Sequence, residues 1–204
     1  TVCTWSQRLL EPAAGSRGTF RYMTAEFSGL AFAETFRRSG QEANNRERRA
    51  AIGQFLTPAT TAAFAASLFP EVTSTVRLLD AGAGAGALLG AFLDDHATSI
   101  TDTAITAVEV DKAVTAPLQK LLACYEEQGA AVSLVTEDFV EWAVPLVVSG
   151  NRLFTHAILN PPYKKIGTGS FARQELSRAG IEAVNIYAGF TALALELLED
   201  GGEL

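Results

Sequence analysis

The segment Val76-Arg-Leu-Leu-Asp-Ala-Gly-Ala-Gly-Ala-Gly86 decides the fold of this 204-residue chain. An apolar run that ends on an acidic residue and continues into alternating glycines predicts a buried strand that turns tightly into a helix. The carboxylate of Asp80 directly before the turn suits a cationic amino-acid group and would repel a pyrophosphate. We therefore expect Asp80, Gly82, Ala83 and Gly84 to bind a ligand that carries an ammonium group.

Strands and helices alternate along the chain after this segment. Hydrophobic periodicity predicts further strands over 104–108, 131–135 and 154–159, and helices over 85–96, 112–128, 139–146 and 185–198. Such alternation is typical of an α/β fold with a parallel sheet, in which ligands bind outside the carboxyl ends of the strands. The polar residues that follow the four strands are expected to share that edge: Asp80, Glu109, Asp138 and Asn160.

The pattern divides the chain into two regions. Residues 1–50 are polar and mostly helical in pattern, so we expect a helical N-terminal extension, whereas residues 51–204 form the α/β domain. Thr57-Pro58 predicts the start of a helix over 59–69. The pair Gly201-Gly202 is typical of a turn into a fifth strand, so the expected domain is truncated and incomplete at its C-terminus.

Composition excludes several classes of protein. Hydrophobic residues make up 48% and charged residues 19%, which is typical of a globular domain. The longest apolar run falls short of the roughly 20 residues of a membrane helix, and no signal-peptide or metal-ligand pattern is present. We therefore expect a cytoplasmic protein with no metal and no membrane partner.

The charge argues against a nucleic-acid-binding surface that covers the whole molecule. The net charge is −7, and phosphate binding requires clustered cations. Basic residues nevertheless crowd two stretches, 37–49 and 164–178, each of which is either a local phosphate-binding patch or a solvated helix face. They are Arg37, Arg38, Arg46, Arg48 and Arg49 in the first, and Lys164, Lys165, Arg173 and Arg178 in the second.

Acidic residues after the second and third strands suit a nucleoside. The carboxylate of Glu109, which is followed by Val110, can accept hydrogen bonds from both hydroxyls of a ribose. Asp138 can accept from the exocyclic amine of adenine while the ring of Phe139 packs on the purine face. The alternative for this second pair is a helix cap followed by a core phenylalanine.

The most specific motif is Asn160-Pro161-Pro162-Tyr163. Consecutive prolines make a rigid loop, so the Asn160 side-chain oxygen and a nearby carbonyl can accept both hydrogens of one planar amino group. Tyr163 offers a flat face on which a flipped-out base can stack. Upstream, Phe55, Thr57 and Pro58 precede a helix whose free N–H groups can hold a carboxylate.

Taken in order, these motifs resemble the gamma class of adenine-N6 DNA methyltransferases of bacterial type II restriction–modification systems. The resemblance covers roughly residues 45–204. It implies a Rossmann-like class I fold that binds S-adenosyl-L-methionine, and double-stranded DNA with a flipped-out adenine as substrate. A cognate restriction endonuclease is a further implied partner. Members of this class carry later strands and a DNA-recognition domain after the closing helix, which we expect this chain to lack.

The resemblance also implies a role for each matching residue. Phe55, Thr57 and Pro58 would flank the cofactor, and Asp80, Gly82, Ala83 and Gly84 would cradle its methionine moiety. Glu109 and Val110 would lie at its ribose, and Asp138 and Phe139 at its adenine. Asn160, Pro161, Pro162 and Tyr163 would hold the target adenine, with Asn160 also close to the cofactor.

Three other interpretations stay open at this point. An N-methyltransferase of protein glutamine or RNA guanine would need the same pair of acceptors. The spacing of Gly82, Gly84 and Ala87 also fits a dinucleotide fingerprint and hence an NAD-dependent oxidoreductase. The chain can equally be a cofactor-binding fragment that needs a partner for DNA recognition.

Overall fold

A parallel five-stranded sheet forms the centre of the computed structural model, which describes residues 27–41, 56–72, 75–97 and 99–204. The strand order is β3-β2-β1-β4-β5, and every pairing is parallel. The predicted first strand therefore lies in the middle, and the chain crosses over where the order reverses. In chain order the strands are β1 (Val76–Ala81), β2 (Thr103–Val108), β3 (Ala131–Val135), β4 (Phe154–Ala157) and β5 (Leu198–Glu203).

Helices cover both faces of the sheet. Neighbouring residues of β1 point to opposite faces: Leu78 packs with helices α1 to α4, and Leu79 packs with α5 to α7. Both leucines are fully buried, so each face has its own apolar core. The described α-helices are α1 (Gly29–Gln41), α2 (Ala59–Ala66), α3 (Ala87–His96), α4 (Lys112–Glu127), α5 (Phe139–Val148), α6 (Phe171–Arg178) and α7 (Ile186–Glu196).

The α/β architecture predicted from sequence is confirmed, and the predicted bounds of the first four strands agree with the structure to within two residues. The predicted helix over 59–69 ends earlier, at Ala66, where Ser67 caps it. Helix α6 was missed, because its short sequence carries few apolar residues. Of the predicted N-terminal extension, the structure describes α1, and the rest lies outside the described residues.

The expectation for Gly201-Gly202 is wrong. These glycines lie inside β5 instead of turning into it, because α7 ends at Glu196 and Leu198 pairs at once with Phe154. Gly201 has a φ of +83°, and the register of β5 against β4 shifts in this stretch. The glycines therefore allow an irregular strand, which local sequence does not distinguish from a turn.

None of the helices in the described ranges combines the length and apolarity needed to cross a bilayer.

Candidate active site

A cavity of about 710 Å³ opens at the carboxyl edge of the sheet. Its walls come from the loops after β1, β2, β3 and β4 and from α7, as expected for a ligand site in a parallel sheet. Six of the residues predicted for the site line it: Gly82, Glu109, Val110, Asp138, Phe139 and Pro162.

Asp80 lies behind the glycine turn, with no exposed surface. Its Oδ2 accepts a hydrogen bond from the backbone N–H of Leu89 at 3.2 Å, while its Oδ1 has no partner among the described residues. Burial raises the pKa of this carboxyl to about 8, although the bond from Leu89 opposes the shift. An unpaired buried oxygen is costly, so this position suits a ligand that supplies a cationic donor.

The glycine turn adopts the conformation that its sequence predicts. Gly82, Gly84 and Gly86 all have positive φ, and the N–H groups of Gly82 and Ala83 both donate to the carbonyl of Val108. A Cβ built on Gly82 would lie 3.8 Å from the ring of Phe190, a wall of the cavity. The bare backbone at Gly82 therefore gives a ligand room beside the turn.

Glu109 joins two loops at the floor of the cavity. Its Oε2 accepts from the N–H of Gly84 at 2.7 Å and its Oε1 from the N–H of Asp111 at 2.7 Å. Burial raises the pKa of Glu109, and these backbone bonds oppose the rise. The carboxylate is thus held in place with further lone pairs left for a ligand. Val110 beside it is 60% exposed within the cavity lining.

Asp138 and Phe139 take the helix-cap and core positions that one of the two interpretations predicted. The Oδ1 of Asp138 caps α5 by accepting from the N–H groups of Val140 and Glu141, and Phe139 is buried. Both residues nevertheless line the cavity, where the ring of Phe139 packs against that of Phe190 with centroids 4.8 Å apart. Phe190 was missed as a site residue, because an aromatic side chain in an apolar helix is most simply interpreted as core.

The Asn160 amide is held from two sides. Its Nδ2 donates to the Oγ1 of Thr57 at 3.2 Å, and its Oδ1 accepts from the Tyr163 hydroxyl at 3.1 Å. The Tyr163 ring is 63% exposed and stacks on that of Tyr187, with centroids 5.6 Å apart. Sequence reasoning missed Tyr187 too, because only the folded chain brings α7 beside this loop.

An open depression of about 450 Å³ adjoins the Asn160 loop. The loop is fixed along its far side, since the carbonyl of Lys164 accepts from the N–H of Ile186 at 2.8 Å. The depression shares Lys164 and Lys165 with the main cavity, so the two spaces meet at the loop. This arrangement can bring a ligand in the cavity close to a planar group in the depression.

Thr57 and Pro58 lie at the start of α2, as predicted. Pro58 caps the helix, and Thr57 borders a small cavity of about 30 Å³ beside the glycine turn. The first free N–H of the helix, that of Ala59, donates to a carboxylate oxygen of Glu34 at 3.3 Å. Phe55, the remaining predicted residue of this motif, lies outside the described residues.

Comparison with known proteins agrees with this fold. No protein-family model matches the chain. The chain is 39% identical over 168 residues to the type II methyltransferase M.BsuBI of Bacillus subtilis, a match that covers 78% of the chain and 34% of that protein. It is 32% identical over 180 residues to the type II methyltransferase M.PstI of Providencia stuartii, covering 84% of the chain and 36% of that protein.

A solved structure from Listeria monocytogenes, described as a class I S-adenosylmethionine-dependent methyltransferase, superposes with a TM-score of 0.57. The two chains are 14% identical, and the match covers 85% of this chain and 51% of the other. This likeness shows the fold. The chain spans about a third of the length of the curated relatives it matches. The chain therefore has the fold of the class I S-adenosylmethionine-dependent methyltransferases, and its sequence is similar to about a third of two type II methyltransferases.

Proposed function

We propose that this chain carries the cofactor-binding and catalytic residues of a DNA adenine-N6 methyltransferase. One observation carries the proposal: Thr57 holds the Asn160 amide so that its oxygen faces the Tyr163 side of the loop, next to an open depression. A side-chain oxygen presented beside an exposed aromatic ring suits a planar base that brings an amino group. As part of this proposal, the protein acts on DNA in the cytoplasm.

The main cavity fits S-adenosyl-L-methionine. Its volume lies within the range of small-molecule sites, and acidic side chains outnumber basic ones in its walls. Glu109, which lines the cavity, suits the ribose hydroxyls, and Asp80, which is buried next to the glycine turn and lines neither cavity, would need a small shift of the turn to reach the ammonium of the methionine moiety. The rings of Phe139 and Phe190 form an apolar wall for adenine. When bound, the cofactor supplies a methyl group activated by the positive charge on sulfur.

The residues of the chain position the amine and stabilise its charge. The Oδ1 of Asn160 and the carbonyl of Pro161 accept the two amino hydrogens, which favours a pyramidal nitrogen with an available lone pair. These acceptors also stabilise the positive charge that develops on nitrogen during transfer. Tyr163 stacks on the flipped base, and the rigid Pro161-Pro162 backbone holds the acceptors in place.

The substrate assignment is tested with tritiated cofactor. We expect label to enter double-stranded DNA and to be recovered as N6-methyladenine, with no label in RNA or in protein glutamine. Label that enters RNA guanine or glutamine instead would contradict the DNA assignment while leaving the cofactor assignment intact. The chain spans about a third of the length of its relatives, so a chain that binds the cofactor but transfers no label would favour a need for separate DNA recognition.

The role of Asn160 is tested by calorimetry together with transfer. Asn160→Ala should abolish methyl transfer and leave the Kd for the cofactor within about threefold of its original value, since the acceptor acts on the amine. Equal loss of transfer and of cofactor binding would contradict the assignment of Asn160.

We also propose a partner, a restriction endonuclease. It would cut DNA that lacks the methyl group that this chain is proposed to add.

A further inference from the structure

Helix α1 takes part in a small cavity next to the proposed cofactor site. This cavity of about 30 Å³ is lined by Ala33 and Arg37 of α1, by Thr57 before α2, and by the glycine turn. Gly82 lines both this cavity and the main one, so both spaces border the same turn. Its volume is enough for one or two water molecules, which is about the size of a carboxylate group.

Helix α1 is firmly attached to the domain. The side chain of Asp94 on α3 accepts from the N–H groups of Gly29 and Leu30 at 2.9 and 3.1 Å, and from the hydroxyl of Ser28 at 2.7 Å. The two helices cross at glycines, since a Cβ on Gly90 would lie 2.6 Å from the backbone of Gly29. The position of Arg37 relative to the glycine turn is therefore set by close backbone packing.

Arg37 lines this cavity. Its side chain is 17% exposed, and its Nε and Nη2 donate to the two carboxylate oxygens of Glu34 at 2.6 and 2.7 Å. A guanidinium has five N–H donors in a fixed plane, so about three of them remain outside the hydrogen bonds formed among the described residues. A partly buried guanidinium with open donors is suited to bind a planar anion.

Glu34 fixes the orientation of that guanidinium. It also accepts from Arg38 at 2.8 Å and from the N–H of Ala59 at 3.3 Å, so one carboxylate joins α1 to the start of α2. The hydrogen bond from Arg37 is the main reason that the pKa of Glu34 falls to about 2. Glu34 is therefore ionised at every physiological pH and holds Arg37 through two parallel bonds.

Two groups of different chemistry lie near the glycine turn. The buried Oδ1 of Asp80, which precedes the turn, has no partner among the described residues, and Arg37 lines the small cavity that the turn borders. The methionine moiety of the proposed ligand carries an ammonium and a carboxylate on one carbon. It therefore needs a hydrogen-bond acceptor for the ammonium and a cationic donor for the carboxylate.

We propose that Arg37 binds the α-carboxylate of the methionine moiety of the cofactor, and that Glu34 acts as the positioning residue for Arg37. This proposal gives α1 a contact with the cofactor, although α1 precedes the motifs that resemble those of other methyltransferases. The inference rests on the proposed cofactor site and is independent of the DNA substrate.

The test compares two ligands that differ in one group, S-adenosylmethionine and its decarboxylated form, which keeps the ammonium and lacks the carboxylate. Calorimetry without DNA gives the Kd of each. Arg37→Ala should raise the Kd for S-adenosylmethionine by about 10- to 100-fold and change the Kd for the decarboxylated form by less than about threefold. Arg38→Ala is the matched control, because Arg38 pairs with the same Glu34 but is 76% exposed and lies outside the cavity. It should change neither Kd.

Each other outcome overturns a stated part of the proposal. Equal weakening of both ligands by Arg37→Ala would mean that Arg37 only supports the fold, and no weakening of either would exclude the contact. If Arg37→Ala does not fold, Arg37→Lys keeps a cation without the planar fork and should still lower the preference for S-adenosylmethionine over the decarboxylated form. An unchanged preference would overturn the proposal. Failure of the unmodified chain to bind S-adenosylmethionine would instead contradict the cofactor assignment.

Discussion

The Nδ2 of Asn160 donates a hydrogen bond to the Oγ1 of Thr57 at 3.2 Å across 103 residues of sequence. Because an amide that donates through nitrogen must point its oxygen the other way, this bond determines which face of Asn160 meets a substrate. Thr57, two residues before α2, and the loop after β4 are therefore coupled in the folded chain, although they resemble separate motifs in the sequence.

Removal of the Thr57 hydroxyl should impair transfer more than cofactor binding. Thr57→Val keeps the shape of the side chain but removes the acceptor that orients Asn160, so we expect kcat at saturating cofactor to fall about tenfold. Thr57→Ser keeps the acceptor and serves as the control, with kcat within about twofold of the original. Equal kcat for the valine and serine variants would show that the bond has no role in orienting the amide.

Tyr163 should contribute through its ring more than through its hydroxyl. Base–aromatic stacking is worth about 1–3 kcal/mol, so Tyr163→Ala should weaken binding of DNA with a flipped adenine by about 10- to 100-fold. Tyr163→Phe keeps the ring and frees the Oδ1 of Asn160, so its DNA affinity should stay close to that of the original chain. The measurement is fluorescence of 2-aminopurine at the target position. A phenylalanine variant as weak as the alanine variant would contradict the stacking role.

Asp80 should make stability depend on pH. Its pKa is about 8 in the folded chain against 3.8 in a model compound, so the folded state holds an extra proton between these values. The free energy of unfolding should therefore fall as the pH rises from about 4 to 8, and this contribution should be level above that range. Asp80→Asn cannot ionise, so the variant should gain stability relative to the original chain across this window, by at least ~1 kcal/mol between pH 5 and 8.

Urea denaturation of the two proteins at several pH values measures this difference. Other groups titrate alike in both proteins and cancel. A stability difference that does not change between pH 5 and 8 would mean that the Asp80 pKa lies near its ordinary value.

Gly82→Ala should reduce cofactor binding beyond the effect of backbone strain. Gly82 has a φ of +78°, so any L side chain costs roughly 1–2 kcal/mol there. Gly150→Ala is the matched control, because Gly150 has a φ of +73° and open space around it, away from the cavity. Both variants should lose similar stability in thermal unfolding, and only Gly82→Ala should raise the Kd for S-adenosylmethionine. Equal Kd values for the two variants would exclude a close approach of the cofactor to Gly82.

The sequence predicts those parts of the site that depend on local structure. A strand end is readable from an apolar run and a following polar residue, so Asp80, Glu109, Asp138 and Asn160 could be assigned to one edge of the sheet. Asp111 could likewise be assigned to the cap of the next helix, and it does accept from the N–H of Ala113 at 3.0 Å.

Residues that reach the site from a helix could not be assigned in this way. Phe190 and Tyr187 lie on α7, where an aromatic side chain at helical spacing is most simply interpreted as core. Arg37 resembled one member of a basic cluster until the structure paired it with Glu34. In each case the chemistry arises from the packing of distant segments, which periodicity within one segment does not encode.

The hydroxyl of Tyr163 already satisfies the Oδ1 of Asn160 before any substrate arrives. On the proposed function, an unmodified amine exchanges that bond for its own and offers a second hydrogen to the Pro161 carbonyl. A monomethylated amine has only one hydrogen left, so it and the Tyr163 hydroxyl can each donate a single hydrogen bond to the Oδ1 of Asn160 and compete for it. The hydrogen bond between Tyr163 and Asn160 would then favour release of the methylated product and a single methyl transfer to each base.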